Sequence, residues 1–174
     1  AAVSGANTNA TVSLAGHSES FQKANSPSNS PFVSVQGRGS TLTQNSTTYT
    51  YTAPDGAVAV FSKSITQLGF QQPTVSAYVT ALTLPDGERR TFHHVSRTTP
   101  QAETRLQAIT SNRGYQIKLL YDGPGWAEIT GAIGVNMAVD YCDPAASTCA
   151  GLTQSWPTVT YDRSSYFFRI TDQL

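Results

Sequence analysis

Residues 82–92, LTLPDGERRTF, have the sequence of a tight turn between two apolar flanks. Pro85 sets φ at the first central position of a β-turn, and Asp86 suits the second central position. Gly87 then accepts the left-handed conformation that closes a type I turn with a bulge. Because apolar and β-branched residues continue on both sides, the stretch predicts a β-hairpin.

The glycine of this turn lies five residues after one apolar residue and five before another, and Thr follows the first of them. Complete copies of the spacing are Tyr51, Gly56 and Phe61; Leu82, Gly87 and Phe92; Ile109, Gly114 and Leu119; and Ile129, Gly134 and Val139. Gly makes up 13 of the 174 residues, so coincidence is the alternative, but matched Thr residues favour a true repeat. The pattern predicts turn glycines at Gly56, Gly87, Gly114 and Gly134, with positive φ at the first three.

Repeated hairpins without helical periodicity predict an all-β fold. The expected architecture is a series of antiparallel β-hairpins that form a repeat-like sheet ribbon or an elongated β-sandwich, with very little helix. Residues 1–40 are a polar segment rich in Ser, Thr and Asn, interpreted as short strands that serve as a linker or donor strand. Residues 41–174 are the hairpin-repeat region. This region is expected to be incomplete at its C-terminal end, because residues 170–174 begin a fifth copy without its glycine.

Charge and hydropathy exclude two classes of partner. The chain has 11 Lys and Arg residues against 11 Asp and Glu residues, and only 13% of its residues are charged. It therefore has no basic face for a phosphate backbone, and nucleic-acid binding is not expected. No apolar run approaches the length of a membrane-spanning helix, so no membrane span is expected.

The two cysteines, Cys142 and Cys149, are separated by a short segment of small and turn-forming residues. This separation favours a local disulfide, since a metal site would need more ligands and a redox pair usually has the Cys-x-x-Cys spacing. A disulfide is typical of an oxidising compartment, so we expect a secreted or cell-surface protein. The chain opens with small residues and no Met, which fits removal of a signal peptide and equally fits a cloning boundary.

Several stretches together resemble the bacterial Rhs proteins, also called YD-repeat proteins. They are TYTYTAPDG, TLPDGERRTFHH, RLQAITSNRGYQIKLLYDG, VDYCDPAASTC, LTQSWPTVTY and RITDQL. The Tyr-Asp dipeptides at residues 121–122 and 161–162 are closest to the family signature, and the similarity is to the region at or just before the repeat array. The resemblance implies a large secreted or surface-displayed protein whose hairpins wind into a β-sheet ribbon, often a shell around a C-terminal toxin. It implies no catalytic residue in this chain.

A non-catalytic structural module that acts through β-sheet pairing is the function we expect, as part of a surface shell or as a filament subunit. Its expected partners are copies of itself, or the remainder of a longer chain, that pair with edge strands. The alternative is a glycan-binding adhesin module, in which Trp126, Asp122 and Trp156 contact the sugar, because aromatic rings on loops provide stacking surfaces.

A hydrolase ranks third. His17, His93 and His94 are the three histidines, and the chain has neither a Gly-x-Ser-x-Gly nucleophile elbow nor a metal-binding His-Glu-x-x-His helix. Adjacent histidines in a strand also point to opposite faces of the sheet. We therefore expect no catalytic residues, no cofactor and no metal site.

Overall fold

The computed structural model describes residues 2–5, 9–14, 16–23, 31–66, 74–98, 103–122, 126, 128–164 and 167–173. Every regular element in these residues is a β-strand, so the predicted all-β fold is confirmed. The chain divides into two compact units, Ala1–Arg89 and Arg90–Leu174. Within the described ranges there is no helix long and apolar enough to cross a membrane.

The first unit contains the first eight strands of the chain. They are β1 (Ala2–Gly5), β2 (Asn9–Leu14), β3 (His17–Lys23), β4 (Phe32–Ser34), β5 (Thr41–Gln44), β6 (Thr48–Thr52), β7 (Val58–Thr66) and β8 (Thr74–Thr83). Each strand pairs antiparallel with the next one along the chain, as successive hairpins require. In β2, β3 and β6, buried and more exposed residues alternate, because successive side chains point to opposite faces of a strand.

The loop between β6 and β7 and the loop after β8 share the sequence x-Pro-Asp-Gly-x and the same hydrogen bonds. In the first loop Ala53 N donates to Ala57 O at 2.8 Å, and Gly56 N donates to Ala53 O at 3.0 Å. Asp55 Oδ1 accepts a further bond from Ala57 N at 3.0 Å. Residues 84–88 repeat all three bonds. The turn glycine has φ of +89° in the first loop and +81° in the second, which confirms the expected left-handed conformation.

Strand β1 pairs with β8 as well as with β2, in a register that runs from Ala2 opposite Tyr78 to Gly5 opposite Val75. Every strand of the first unit therefore has a hydrogen-bonded neighbour at both edges. We call this arrangement the strand ring (β1–β8). Its core contains fully buried apolar side chains, of which the largest are Phe21, Phe61 and Leu42.

The N-terminal segment is part of this ring. Residues 1–40, interpreted as a segment of short strands that serves as a linker or donor strand, supply β1 to β4. The division between the two compact units lies between Arg89 and Arg90, not after residue 40. The physical reason is burial: Val12, Phe21 and Phe32 alternate with more exposed residues and enter the same core as the residues of later strands.

The second unit contains the remaining strands, the first of which begins at the boundary residue. They are β9 (Arg89–Arg97), β10 (Glu103–Ser111), β11 (Tyr115–Tyr121), β12 (Ile129–Asn136), β13 (Thr158–Ser164) and β14 (Phe167–Gln173). Consecutive strands again pair antiparallel. The turn between β10 and β11 has Gly114 at a φ of +86°, and its N donates to Ser111 O at 3.0 Å, as the repeat predicts.

Gly134 does not lie in a turn, so this part of the prediction is wrong. The residue lies within β12, opposite Ile117 of β11, and its N donates to Pro157 O at 2.9 Å. The chain turns instead at residues 137–139. The spacing of an apolar residue, Thr and Gly is therefore compatible with a continuous strand as well as with a hairpin.

The segment between β12 and β13 contains the disulfide. Cys142 and Cys149 are bonded, with their Cα atoms 5.0 Å apart, which confirms the predicted pairing. The fully buried Lys118 of β11 donates to Asp143 O at 2.9 Å and to Pro144 O at 3.0 Å. Burial lowers the pKa of the Lys118 amine, although the Asp143 charge acts in the opposite direction. The lysine thereby holds the disulfide segment against the sheet.

Gly131 of β12 lies close to the backbone of β13, and we predict that it does not tolerate a side chain. A Cβ atom at this position would lie 2.7 Å from Val159 O, so Gly131→Ala requires a backbone shift that should cost about 1–3 kcal/mol. Gly134→Ala is the matched control on the same strand, since the nearest atom to its added Cβ is 4.0 Å away.

Urea unfolding followed by tryptophan fluorescence measures both variants, because both tryptophans belong to the second unit. Equal losses of stability at the two glycines would contradict the prediction.

Candidate functional site

Trp126 and Asp122, two residues of the predicted glycan site, lie together at the end of β11. Trp126 has a φ of +59°, which is uncommon for a residue with a side chain, and its N donates to Asp122 O at 3.2 Å. The guanidinium carbons of Arg97 and Arg105 lie 4.7 and 4.5 Å from the centre of the indole ring. Arg105 also donates to Trp126 O at 2.5 Å.

This arrangement limits what Trp126 can bind. Two guanidinium groups already lie over its ring, so that surface is occupied by cation–π contacts. Arg97 forms an ion pair with Glu103 at 2.7 Å, which fixes one of these groups in place. Asp122 Oδ1 is buried and has no hydrogen-bond partner among the residues that the structure describes. The cluster therefore has a buried acceptor, and the ring surface beneath the two guanidinium groups is not free for stacking.

Trp156 lies in a different part of the second unit. Trp126 comes shortly after Tyr121, which is the last residue of β11. Trp156 instead lines a groove together with Tyr115, which is the first residue of the same strand. A seven-residue strand separates its two ends by about 20 Å. The predicted residues therefore form two sites: Asp122 with Trp126, and Trp156 with partners that the sequence did not identify.

The orientation of Trp156 is set by Asp140. The indole Nε1 donates to Asp140 Oδ2 at 2.6 Å. Asp140 Oδ1 accepts a bond from Thr153 N at 3.0 Å and another from Thr153 Oγ1 at 2.7 Å. The Thr153 hydroxyl lowers the pKa of the Asp140 carboxyl, burial opposes this, and the Trp156 N–H lowers the pKa further. The net direction is downward, so the ionised carboxylate is the form that holds the indole.

We call the open groove beside this indole the aromatic groove; it has a volume of about 350 Å³ and is lined by Tyr115, Gln116, Ile117, Gly134, Val135, Asn136, Trp156 and Pro157. Tyr115 and Ile117 point to the same face of β11, since they are two residues apart, and both are exposed. Gly134, opposite Ile117, has no side chain and leaves space beside Ile117 on the face of the sheet. The result is a shallow apolar surface with aromatic rings at its sides.

The aromatic groove has the components of a carbohydrate-binding surface. Tyr115 is 59% exposed, and Trp156 is partly exposed, so both rings are accessible to a flat apolar partner. Aromatic rings with fixed orientation supply contact area at little cost in conformational entropy. Asn136 adds an amide at the rim, and its Oδ1 already accepts a bond from Ala138 N at 3.0 Å.

The histidines do not form a site together within the described residues. His93 and His94 lie on β9, opposite Ala108 and Leu106 of β10, and His93 Nε2 is 2.9 Å from Thr110 Oγ1. Burial lowers the pKa of both imidazoles. His17 begins β3 in the other unit. No group of three or more potential metal ligands lies in the described ranges.

Comparisons of the chain with protein-family models, with curated proteins and with solved structures give no match.

The sequence contained a signal for the aromatic groove that was not used. Tyr115 directly follows a turn glycine, and its alternation with Gln116 and Ile117 places two large side chains on one face of a strand. The contribution of Gly134 was missed because the repeat assigned it to a turn. The proximity of Trp156 to Tyr115 depends on the path of the disulfide segment, which no local pattern specifies.

The Asp140 carboxylate provides a prediction with a defined pH dependence. Its pKa is lower in the folded protein than the usual value of 3.8, so its stabilising effect is present above that value and is lost as the pH falls through the folded-state pKa. Asp140→Asn should therefore lower the free energy of unfolding at pH 7, and the difference from the unmodified protein should shrink below about pH 3.8.

Urea unfolding at several pH values, followed by tryptophan fluorescence, measures this difference. Asp162→Asn on β13 is the control, because Asp162 is exposed and should have little effect at any of these pH values. A destabilisation by Asp140→Asn that is the same at pH 7 and pH 3 would show that the carboxylate charge has no part in it.

Proposed function

We propose that the chain is a non-catalytic structural module of an extracytoplasmic protein, and that it acts by β-sheet pairing as part of a surface shell or filament. The successive antiparallel hairpins support this proposal, since such ribbons extend by adding strands at an edge. The disulfide supports an oxidising location. Both features agree with the resemblance to the hairpin region of Rhs proteins.

The observation that carries the proposal is the edge of β14. This strand pairs with β13 over seven residues, from Phe167 opposite Ser164 to Gln173 opposite Thr158. No second strand pairs with it among the described residues. An edge strand presents unpaired N–H and C=O groups, and proteins usually protect it with charge, Pro or a covering element. Here Ile170 is 60% exposed on this strand.

Substitution of Ile170 tests the edge. We expect the unmodified protein to form larger species as its concentration rises. Ile170→Lys should raise the protein concentration at which these species form by about tenfold, because the addition of a strand would desolvate the lysine charge. Ile129→Lys is the control, since Ile129 is also exposed but lies on β12, which has partner strands on both sides.

Light scattering coupled to size-exclusion chromatography measures all three proteins. A protein that stays monomeric at every concentration would overturn the proposal. An equal effect of both substitutions would assign any association to general surface hydrophobicity and would also count against pairing at β14.

A second candidate function is glycan binding at the aromatic groove. The observation that favours it is the fixed indole of Trp156, held by Asp140 beside the exposed ring of Tyr115. A pyranose ring has an apolar face that stacks on such rings, while its hydroxyl groups bond to polar groups at the rim. This candidate is compatible with the structural role, because a surface module can also attach to a sugar.

A glycan array tests this candidate, with Tyr115→Ala and Tyr141→Ala as a matched pair. Tyr141 is 73% exposed and does not line the aromatic groove, so its removal should leave binding unchanged. Tyr115→Ala should weaken binding of any sugar found by about fivefold, since stacking contacts contribute on the order of 1 kcal/mol. No binding to any arrayed sugar, or equal losses in both variants, would contradict the candidate.

A further inference from the structure

The strand ring contains a cavity of about 390 Å³ that the structural role does not explain. Val12 and Leu14 of β2 and Leu82 of β8 contribute apolar walls, and the ring of Tyr51 on β6 adds an aromatic one. The first three residues of β3 and the loops that begin after β4, β6 and β8 contribute the remaining lining residues. The cavity therefore lies where alternate hairpin loops meet, at one end of the first unit.

Small side chains leave this space unfilled. Phe21, Phe61 and Leu42 fill the fully buried part of the core. On β7 and just before it, Ala57 and Ala59 occupy inward positions, and Ala57 lines the cavity. A closed ring of about eight strands has room for filling side chains or for one small ligand. The volume lies within the range of about 300–1,000 Å³ that is typical of ligand pockets.

One charged side chain faces this apolar surface from β3. Glu19 lines the cavity and is only 6% exposed. Its Oε1 accepts hydrogen bonds from the hydroxyl groups of Ser34, at 2.6 Å, and Ser40. Its Oε2 accepts one bond, from the Tyr51 hydroxyl at 3.1 Å. A carboxylate oxygen has two lone pairs, so Oε2 has capacity for another donor.

The carboxylate of Glu19 has no directly bonded counterion among the described residues. No ion pair to its carboxylate forms within the described ranges; Arg38 lines the cavity but is exposed. Burial raises the pKa of Glu19, but the bonds from Ser34, Ser40 and Tyr51 and the charge of Arg38 outweigh it, and the net shift is downward. The group is therefore an anion at neutral pH. Burying a charge is costly unless an opposite charge or several donors compensate it.

A purely structural role accounts for only part of this arrangement. Glu19 joins β3 to β4, to the start of β5 and to β6 through three hydroxyl groups. A neutral acceptor would serve that purpose at a lower cost of desolvation. A structural role also does not explain why an apolar cavity lies against the carboxylate.

We propose that this cavity binds a small organic cation, a primary amine on an apolar body, with its ammonium group at Glu19 Oε2. The ammonium supplies the missing counterion and donates to the unused lone pair. The apolar body contacts Val12, Leu14 and Leu82. The Glu19 carboxylate repels an anionic head group on the same body, which predicts that such a group is not accommodated beside it. Arg38 at the lining is a cation that competes with the ammonium for the carboxylate.

Three probes with the same six-carbon tail test the inference: hexylamine, 1-hexanol and hexanoate. Isothermal titration calorimetry on the full chain at pH 7 should give saturable binding of hexylamine, about tenfold tighter than hexanol, because an ammonium forms a stronger hydrogen bond to a carboxylate than a hydroxyl group does. Hexanoate should not bind. Equal affinity for hexylamine and hexanol, or no saturable binding of hexylamine, would overturn the proposal.

Three variants separate the ligand site from a structural role. Glu19→Gln keeps an acceptor for the hydroxyl groups and should abolish the preference for hexylamine over hexanol. Ala57→Leu keeps the carboxylate but fills the cavity, so both probes should be lost. Arg38→Gln removes the competing cation at an exposed position and should strengthen hexylamine binding by a few-fold.

Circular dichroism and thermal melting establish that each variant is folded. Should Glu19→Gln unfold, Ala57→Leu and Arg38→Gln still decide the question, because neither removes a partner of the three hydroxyl groups. Unchanged hexylamine affinity in both of these variants would overturn the proposal.

Discussion

The hydrogen bonding of each strand to its neighbour in sequence is the interaction on which the rest of this structure depends. A short turn returns the chain directly alongside the strand it has just formed, so backbone groups find partners before any distant segment is needed. The two x-Pro-Asp-Gly-x loops show how this is achieved: proline and glycine set the backbone angles, and the aspartate closes the turn with its own side chain. The pairing of the hairpins determines which side chains point into the cavity and the aromatic groove, and which strand is left at the edge.

Polar groups inside this fold are held by donors and acceptors from other strands. The Glu19 carboxylate accepts hydrogen bonds from hydroxyl groups of three other segments. Lys118 donates to two carbonyl groups of the disulfide segment, and the Asp140 carboxylate accepts hydrogen bonds from Thr153 and Trp156. These contacts connect segments that backbone pairing alone does not join. The three groups differ in one respect that bears on function. All three groups form hydrogen bonds to neighbouring residues, but of the three only Glu19 also borders the apolar cavity of the strand ring.

The surfaces proposed to act are thus of different kinds. The edge of β14 offers backbone N–H and C=O groups on a strand that also exposes Ile170, so it suits assembly. The aromatic groove uses two rings and the space left by a glycine, which suits recognition of a flat apolar face. The cavity of the strand ring combines apolar walls with the buried carboxylate of Glu19 and the exposed carboxylate of Asp55, which suits a small cation. None of these surfaces requires a nucleophile, a proton relay or a metal ion.

Local features of this protein were determined by the sequence itself. The left-handed glycines at residues 56, 87 and 114, the hairpins around them and the Cys142–Cys149 disulfide depend on residues that lie only a few positions apart. The spacing of an apolar residue, Thr and Gly did not identify a turn correctly at Gly134, because a continuous strand is compatible with the same spacing. Tertiary structure alone decided the pairing of β1 with β8 and the meeting of Glu19 with Tyr51, which lie 32 residues apart. It also decided the separation of Trp126 from Trp156. Such contacts depend on which strand faces fold together over long distances, and no short pattern of residues encodes that choice.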